Sequence, residues 1–191
     1  MEPLPFGSWA TPARDHPGLI NSYRGWDGNS GSHDYNWHDA IHANNGFNSC
    51  GADSPEPCDD FGHGTHTLGT MVGNDLLPEA DGWPAAASNA VGVAPGAQWV
   101  ACRNMDNGYG TPASYAECYE WFIAPYPLGG DKMTEGDPSR APHVINNSWG
   151  CPASEGCTSA NVLQGVVEAV TAAGIVTVHS AGNGGSGGCS G

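Results

Sequence analysis

Two histidines, His63 and His66, stand in the stretch Asp59-Asp60-Phe61-Gly62-His63-Gly64-Thr65-His66-Thr67-Leu68-Gly69-Thr70. A neutral imidazole accepts a proton near pH 7, and Gly62 and Gly64 leave room beside His63 for a substrate backbone. The same residues equally suit a capping or turn histidine. Zinc suits them less, because H-x-x-H lacks the glutamate of H-E-x-x-H and spaces two ligands poorly on one helical face. His33, His38 and His42 fall in a loop-like region and read as local hydrogen-bonding groups; no metal site is assigned to them. Asn183, in Ser180-Ala181-Gly182-Asn183-Gly184, carries an amide that can donate to an oxyanion, or is the first residue of an Asn-Gly turn. Ser148-Trp149-Gly150 can pair with an extended peptide, with Gly150 leaving space for it, or can be a strand end with a buried indole.

Such residues act together only if regular elements carry them to one place. Gln98 to Arg103, His143 to Ser148 and Ile175 to Ser180 are short apolar runs that predict three buried strands. Thr111-Pro112 is a helix start, Tyr115, Cys118, Tyr119 and Phe122 keep helical spacing, and Pro125 ends the helix. Residues 159–173 predict a second helix with Val162, Val166, Ala169, Val170 and Ala173 as its stripe and Gly174 as its cap. A short helix is expected over residues 63–73, and loops over residues 1–60 and 74–96. Strand, helix, strand, helix, strand implies parallel βαβ units in an α/β fold. In such sheets ligands bind beyond the carboxyl ends of the strands. Asn107 to Gly110, Trp149-Gly150 and Gly182 to Gly184 each follow a predicted strand, so chemistry is expected there.

Composition narrows the partners. The 191 residues hold 20 acidic and 5 basic side chains, a formal net charge of −15. Phosphate recognition needs clustered Lys and Arg, so nucleic acid is excluded as a partner, and the same shortage argues against an anionic membrane surface. Val162 to Val178 is broken by Gln164, Glu168 and Gly174 and is no membrane span. Met1-Glu2-Pro3-Leu4-Pro5 lacks the basic and apolar segments of a signal peptide, so an export signal would lie outside these residues. Seven cysteines without C-x-x-C spacing fit disulfides in an oxidising compartment. Cys50–Cys58, Cys102–Cys118 and Cys151–Cys157 are plausible local pairs, which leaves Cys189 over.

Four blocks occur in order: "GHGTHTLGTMVG", "VGVAPGAQWVACR", "HVINNSWG" and "VHSAGNGG". Together they closely resemble the subtilisin-like serine proteases, the subtilases, over roughly residues 15 to 191; the NSWG length is similar to that of extracellular members of bacillopeptidase type. The resemblance implies a three-layer subtilisin-like α/β fold with a mostly parallel central sheet, truncated at both ends. It implies a secreted, extracellular serine endopeptidase acting on protein or peptide substrates. His63 would be the general base and Asn183 the oxyanion donor. Gly108, Tyr109, Gly110, Ser148, Trp149 and Gly150 would line the substrate cleft. No cofactor is required; the family admits calcium as a structural ion, and no ligand set for it can be named here.

The sequence departs from the family in two places. The aspartate that orients the base normally opens an Asp-Thr-Gly or Asp-Ser-Gly turn shortly before a His-Pro-x-Leu segment, matched here by Asp15-His16-Pro17-Gly18-Leu19. Counting back reaches Trp9, and neither turn occurs before His63. Residues 1–14 are therefore set apart as an atypical segment and residues 15–191 as a partial catalytic domain, with Asp15, Asp27 and Asp60 as substitute carboxylates. The serine block that follows the Ala-Gly-Asn block in the family is absent too. Gly184-Gly185-Ser186-Gly187-Gly188 matches G-x-S-x-G but enters no helix, so Ser186 reads as loop. The chain alone is expected to be inactive. The alternative is a non-catalytic protease-like module that binds peptides.

Overall fold

Gln98-Trp-Val-Ala-Cys-Arg103 explains most of the architecture. The run is apolar on both faces, as befits a strand covered on both sides. The computed structural model describes residues 5–8, 16–43, 46, 48–74 and 90–187. In chain order its elements are β1 (Pro5–Ser8), α1 (Pro17–Ile20), β2 (Trp37–Asp39), α2 (His63–Val72), β3 (Gln98–Arg103), β4 (Met105–Asp106), β5 (Tyr109–Gly110), α3 (Pro112–Ile123), β6 (Val144–Asn147), α4 (Gln164–Ala172) and β7 (Val176–His179). Five strands form one sheet in the order β2-β3-β1-β6-β7, with every neighbouring pair parallel.

Alternation along β3 divides the core. Trp99 and Ala101 pack with Leu19, Tyr23, Trp37, Leu68 and Val72, which brings in α1 and α2. Val100 and Cys102 pack with Cys118, Tyr119, Trp121, Phe122, Ile145 and Val170, which brings in α3 and α4. The Trp99 indole N–H donates to the Leu19 carbonyl at 2.8 Å, so its one polar atom is satisfied inside the core. All three anticipated disulfides are present, and Cys102–Cys118 ties β3 to α3. Cys189 lies outside the described residues.

The helix boundaries follow local chemistry. At the start of α3 the Thr111 hydroxyl accepts from the Ser114 N–H and the Ser114 hydroxyl accepts from the Thr111 N–H, with Pro112 in the first turn. This reciprocal cap contributes about 1 kcal/mol. The residues expected on its buried stripe, Tyr115, Cys118, Tyr119 and Phe122, are all buried.

The second predicted helix is shorter than expected. It begins at Gln164, and residues 159–163 turn instead, with the Ser159 hydroxyl bonded to Asn161. Side chains of this kind compete with helical backbone bonds. Of the expected stripe only Val170 is buried, and Val162 is exposed.

Two strands arise where loops were expected. β1 has four residues and β2 three, too few for a period to show. β1 lies in the middle of the sheet, with Ser8 in register with both Ala101 and Asn146.

Candidate active site

Helix α2 begins at His63 itself, and the residue before it, Gly62, has a left-handed φ of 78° and no side chain to cap the helix. Asp59 supplies the cap instead. Its carboxylate accepts from the backbone N–H groups of Phe61, Gly62 and Thr65 at 3.1, 2.6 and 2.9 Å, and from the Thr65 hydroxyl at 2.6 Å. A negative charge at a helix N-terminus is favourable by the helix dipole as well. The turn therefore presents the His63 imidazole to solvent while its backbone is held.

A cavity of about 260 Å³ opens beyond this turn, and His63, Gly108, Ser148, Trp149 and Asn183 all line it, together with Asp60 and Arg103. His63 is carried by α2, Gly108 by the turn between β4 and β5, Ser148 and Trp149 by the segment after β6, and Asn183 by the segment after β7. The structure thus brings together five of the eight residues singled out in the sequence, from four separate segments. Tyr109 and Gly110 line a neighbouring groove of about 720 Å³ with Ile41, His42 and Glu117. Gly150 lines a third groove, of about 470 Å³, walled by Cys151 and Cys157, and Trp149 reaches into that one too. Ser186 lies in the exposed 3-10 turn Gly185–Gly187.

Two features of the cleft segment had an unused sequence signal. Asn107 and Gly108 have φ of 48° and 85°, the pair of left-handed residues that joins antiparallel strands in a tight turn, and Asn-Gly is its commonest sequence. At Gly110 a side chain would begin 2.3 Å from the Tyr115 ring, so glycine is required by close approach. Tyr115 in turn stacks on Trp149 with ring centroids 4.0 Å apart and planes 1° from parallel. Its hydroxyl donates to Glu155 at 2.5 Å, and burial pushes its pKa far up, with the Glu155 carboxylate adding to the effect. Trp149 is thereby fixed in orientation at the edge of the cavity.

Sequence reasoning missed the charge network behind the cavity. Arg103, at the end of β3, is 2% exposed. Its Nη1 donates to Asp39 at 3.0 Å and to the Gly51 carbonyl at 2.8 Å, and its Nη2 donates to Asp60 at 2.7 Å. Burial raises the Asp39 pKa above the ordinary carboxylate value, against the pull of the guanidinium. Among the substitute carboxylates, Asp60 is committed to Arg103 and to the Asn107 N–H at 3.1 Å. Asp27 closes its own turn on the N–H groups of Asn29 and Ser30. Asp15 and Trp9 lie outside the described residues. Among the described residues no carboxylate is hydrogen-bonded to the His63 imidazole.

The other histidines make ordinary side-chain contacts. His33 meets the Tyr23 hydroxyl at 2.9 Å. His38 and His42 both meet Glu117, at 2.7 and 3.0 Å, and the second ring nitrogen of His42 meets Asp53 at 2.6 Å. Burial alone would raise Glu117, but the two imidazoles outweigh it and hold the carboxyl below its usual value. Asp53, followed by Glu117, raises His42. Among the described residues no group of three or more His, Cys, Asp or Glu side chains is arranged to hold a metal ion.

Residues 13–190 match the sequence pattern described as the subtilase family. This chain belongs to the subtilase family. It is 40% identical over 141 residues to bacillopeptidase F of Bacillus subtilis (strain 168), a match covering 71% of this chain and 8% of that protein. It is 32% identical over 136 residues to a thermostable alkaline protease of Halalkalibacterium halodurans, covering 68% of this chain and 28% of that one. The subtilase chain therefore matches less than a third of the length of either relative. Among solved structures, the epidermin leader peptide processing serine protease of Staphylococcus aureus superposes with a TM-score of 0.61 at 15% identity, over 97% of this chain and 38% of that one. The nisin leader peptidase of Lactococcus lactis superposes with a TM-score of 0.57 at 19% identity, over 96% and 44%. These likenesses show that the subtilase chain has the subtilisin-like α/β fold.

Proposed function

We propose that this subtilase chain supplies the base and the oxyanion donor of a secreted serine endopeptidase that hydrolyses protein or peptide substrates, within a three-layer domain truncated at both ends. The observation that carries the reading is the shared cavity: His63, Gly108, Ser148, Trp149 and Asn183 line one space of about 260 Å³ from four segments distant in sequence. In the reaction a serine hydroxyl attacks the peptide carbonyl while the His63 imidazole takes its proton, then returns it to the leaving amine. The Asn183 amide donates to the oxygen that becomes negative in the tetrahedral intermediate. An extended substrate backbone lies between the Gly108–Gly110 segment and the Ser148–Gly150 segment. The reading places the nucleophilic serine and the orienting aspartate on residues other than those of this chain. Three disulfides support an extracellular setting, and among the described residues no helix is long and apolar enough to cross a membrane. The subtilase reading calls for no cofactor.

A second reading, a peptide-binding module without catalysis, is favoured by one observation, the absence of any described carboxylate bonded to His63. One experiment separates the two. The 191-residue chain and the longest product of its reading frame are each treated with a serine-directed fluorophosphonate probe and with an unfolded protein substrate. The longer product is expected to be labelled and to cleave, and the 191-residue chain to do neither. Asn183→Ala in the active product is expected to lower kcat by about 10²–10³, the loss known for the oxyanion asparagine of subtilisin, a member of the same family. A labelled 191-residue chain would overturn the placement of the nucleophile. A longest product that neither labels nor cleaves would overturn the protease reading in favour of the binding module.

A further inference from the structure

Arg103 is the one fully buried basic side chain among the described residues. The alternation of β3 sends it to the face that carries Trp99, Ala101 and helix α2. There its guanidinium joins four segments. It holds Asp39, the β2 residue paired with it in register, and the Gly51 carbonyl within the Cys50–Cys58 loop. It also holds Asp60, and the same Asp60 oxygen accepts the Asn107 N–H. The remaining Asp39 capacity is used by the N–H groups of Ile41 and Ser54. Asp60 stands just ahead of His63, and Asn107 adjoins Gly108; His63 and Gly108 face the same cavity.

Asp60, held by Nη2 of a planar guanidinium whose Nη1 is fixed on Asp39 and the Gly51 carbonyl, thus links the segment that carries the imidazole to the strand turn that would receive substrate. A guanidinium fixes direction as well as distance, which an ammonium does not. Apolar side chains in place of the whole network, Arg103 with Asp39 and Asp60, would serve the core as well as the buried ions do. What the network adds is a set separation between two segments that have no element in common.

We propose that Arg103, acting through Asp60, is a positioning residue that sets the His63 imidazole against the Gly108–Gly110 segment. The proposal deepens the protease reading and rests on it for its kinetic consequence. The fork geometry is the essential feature, so retaining the positive charge is not sufficient.

The test uses the longest product of the reading frame, with Asp60→Asn and Arg103→Lys as variants and Val170→Ala as a control for lost stability. Val170 is buried in the cluster that includes α3 residues and does not itself line the cavity. Assays run well below the lowest Tm. Asp60→Asn and Arg103→Lys are expected to lower kcat at least tenfold with KM changed less than threefold. Val170→Ala should lower Tm and leave kcat within twofold. Variants of Asp60 and Arg103 that keep kcat within twofold of the parent would overturn the proposal, as would a loss of kcat that merely follows Tm across all three. A parent protein without peptidase activity would overturn the protease reading instead. The positioning claim is then decided by the side-chain NMR resonance of His63. It should broaden or shift in Asp60→Asn and match the parent in Val170→Ala; a resonance unchanged in Asp60→Asn would overturn it.

Discussion

The segments that carry His63 and Asn183 to their shared cavity are built in opposite ways. His63 stands on a helix whose first turn is capped by Asp59, beside a buried network that reaches β2, a disulfide loop and the β4–β5 turn. Asn183 follows β7, the edge strand of the sheet, where Val176 and Val178 are 57% and 49% exposed and the residues from His179 to Gly187 are all exposed. The turn that carries His63 is held by polar groups within these residues. The segment that leads to Asn183 is held mainly by the backbone pairing of β7 with β6, including the Ser180 N–H to the Asn147 carbonyl at 3.0 Å. The difference is one of means: a side-chain carboxylate, that of Asp59, holds the backbone at the start of α2, whereas the segment that leads to Asn183 inherits its direction from the sheet.

The sharpest way to break this comparison is to change one side chain in each region's frame. Arg103→Met leaves Asp39 and Asp60 buried without their partner, and should cost about 3–5 kcal/mol in denaturant unfolding. Val178→Thr on the exposed edge should stay within about 0.5 kcal/mol. Equal losses would show that the two regions are equally cooperative. A smaller effect sharpens the role of the cap: Asp59→Ala should cost about 0.5–2 kcal/mol, because three N–H groups and a hydroxyl lose their acceptor. A loss near zero would mean that water replaces the carboxylate fully.

The smallest effect is electrostatic and has opposite sign in the two regions. His42, raised by Asp53 and Glu117, should titrate above 6.5, and His179, lowered by partial desolvation of its ring although the residue is largely exposed, below 6.5. Stability linked to His42 is then fully present below pH 6.5 and lost as pH rises through its raised folded value. Stability linked to His179 is present above pH 6.5 and declines as pH falls toward its lowered folded value. Histidine NMR titration reads both directly, and shifts of the same sign would contradict the contrast.

Much of this was legible beforehand where a signal repeats or a spacing is chemical. The runs at 98–103, 143–148 and 175–180 became β3, β6 and β7; burial explains β3, whereas β7, expected to be buried, is an edge strand left mostly exposed. Thr111-Pro112 and Pro125 bracketed α3 through their effects on backbone hydrogen bonding. Short loop closure made the three local cysteine pairs readable. Illegible were β1 and β2, whose partners are remote and whose lengths hold less than two periods. Arg103 was read only as the last letter of a strand. Its partners Asp39, Asp60 and Gly51 are 43 to 64 residues away in sequence, so no local pattern announces the network.

By itself the sequence determined local conformations: that the runs which became β3, β6 and β7 extend, where α3 starts and stops, and which cysteines lie near enough to join. Tertiary structure alone decided that His63 and Asn183, 120 positions apart by their numbers, face one cavity, while Tyr109 and Gly150 turn into neighbouring grooves. The reason is physical. Backbone preferences act over a few residues, whereas the order of parallel strands is set by burial of both sheet faces at once, and that order fixes which strand ends become neighbours.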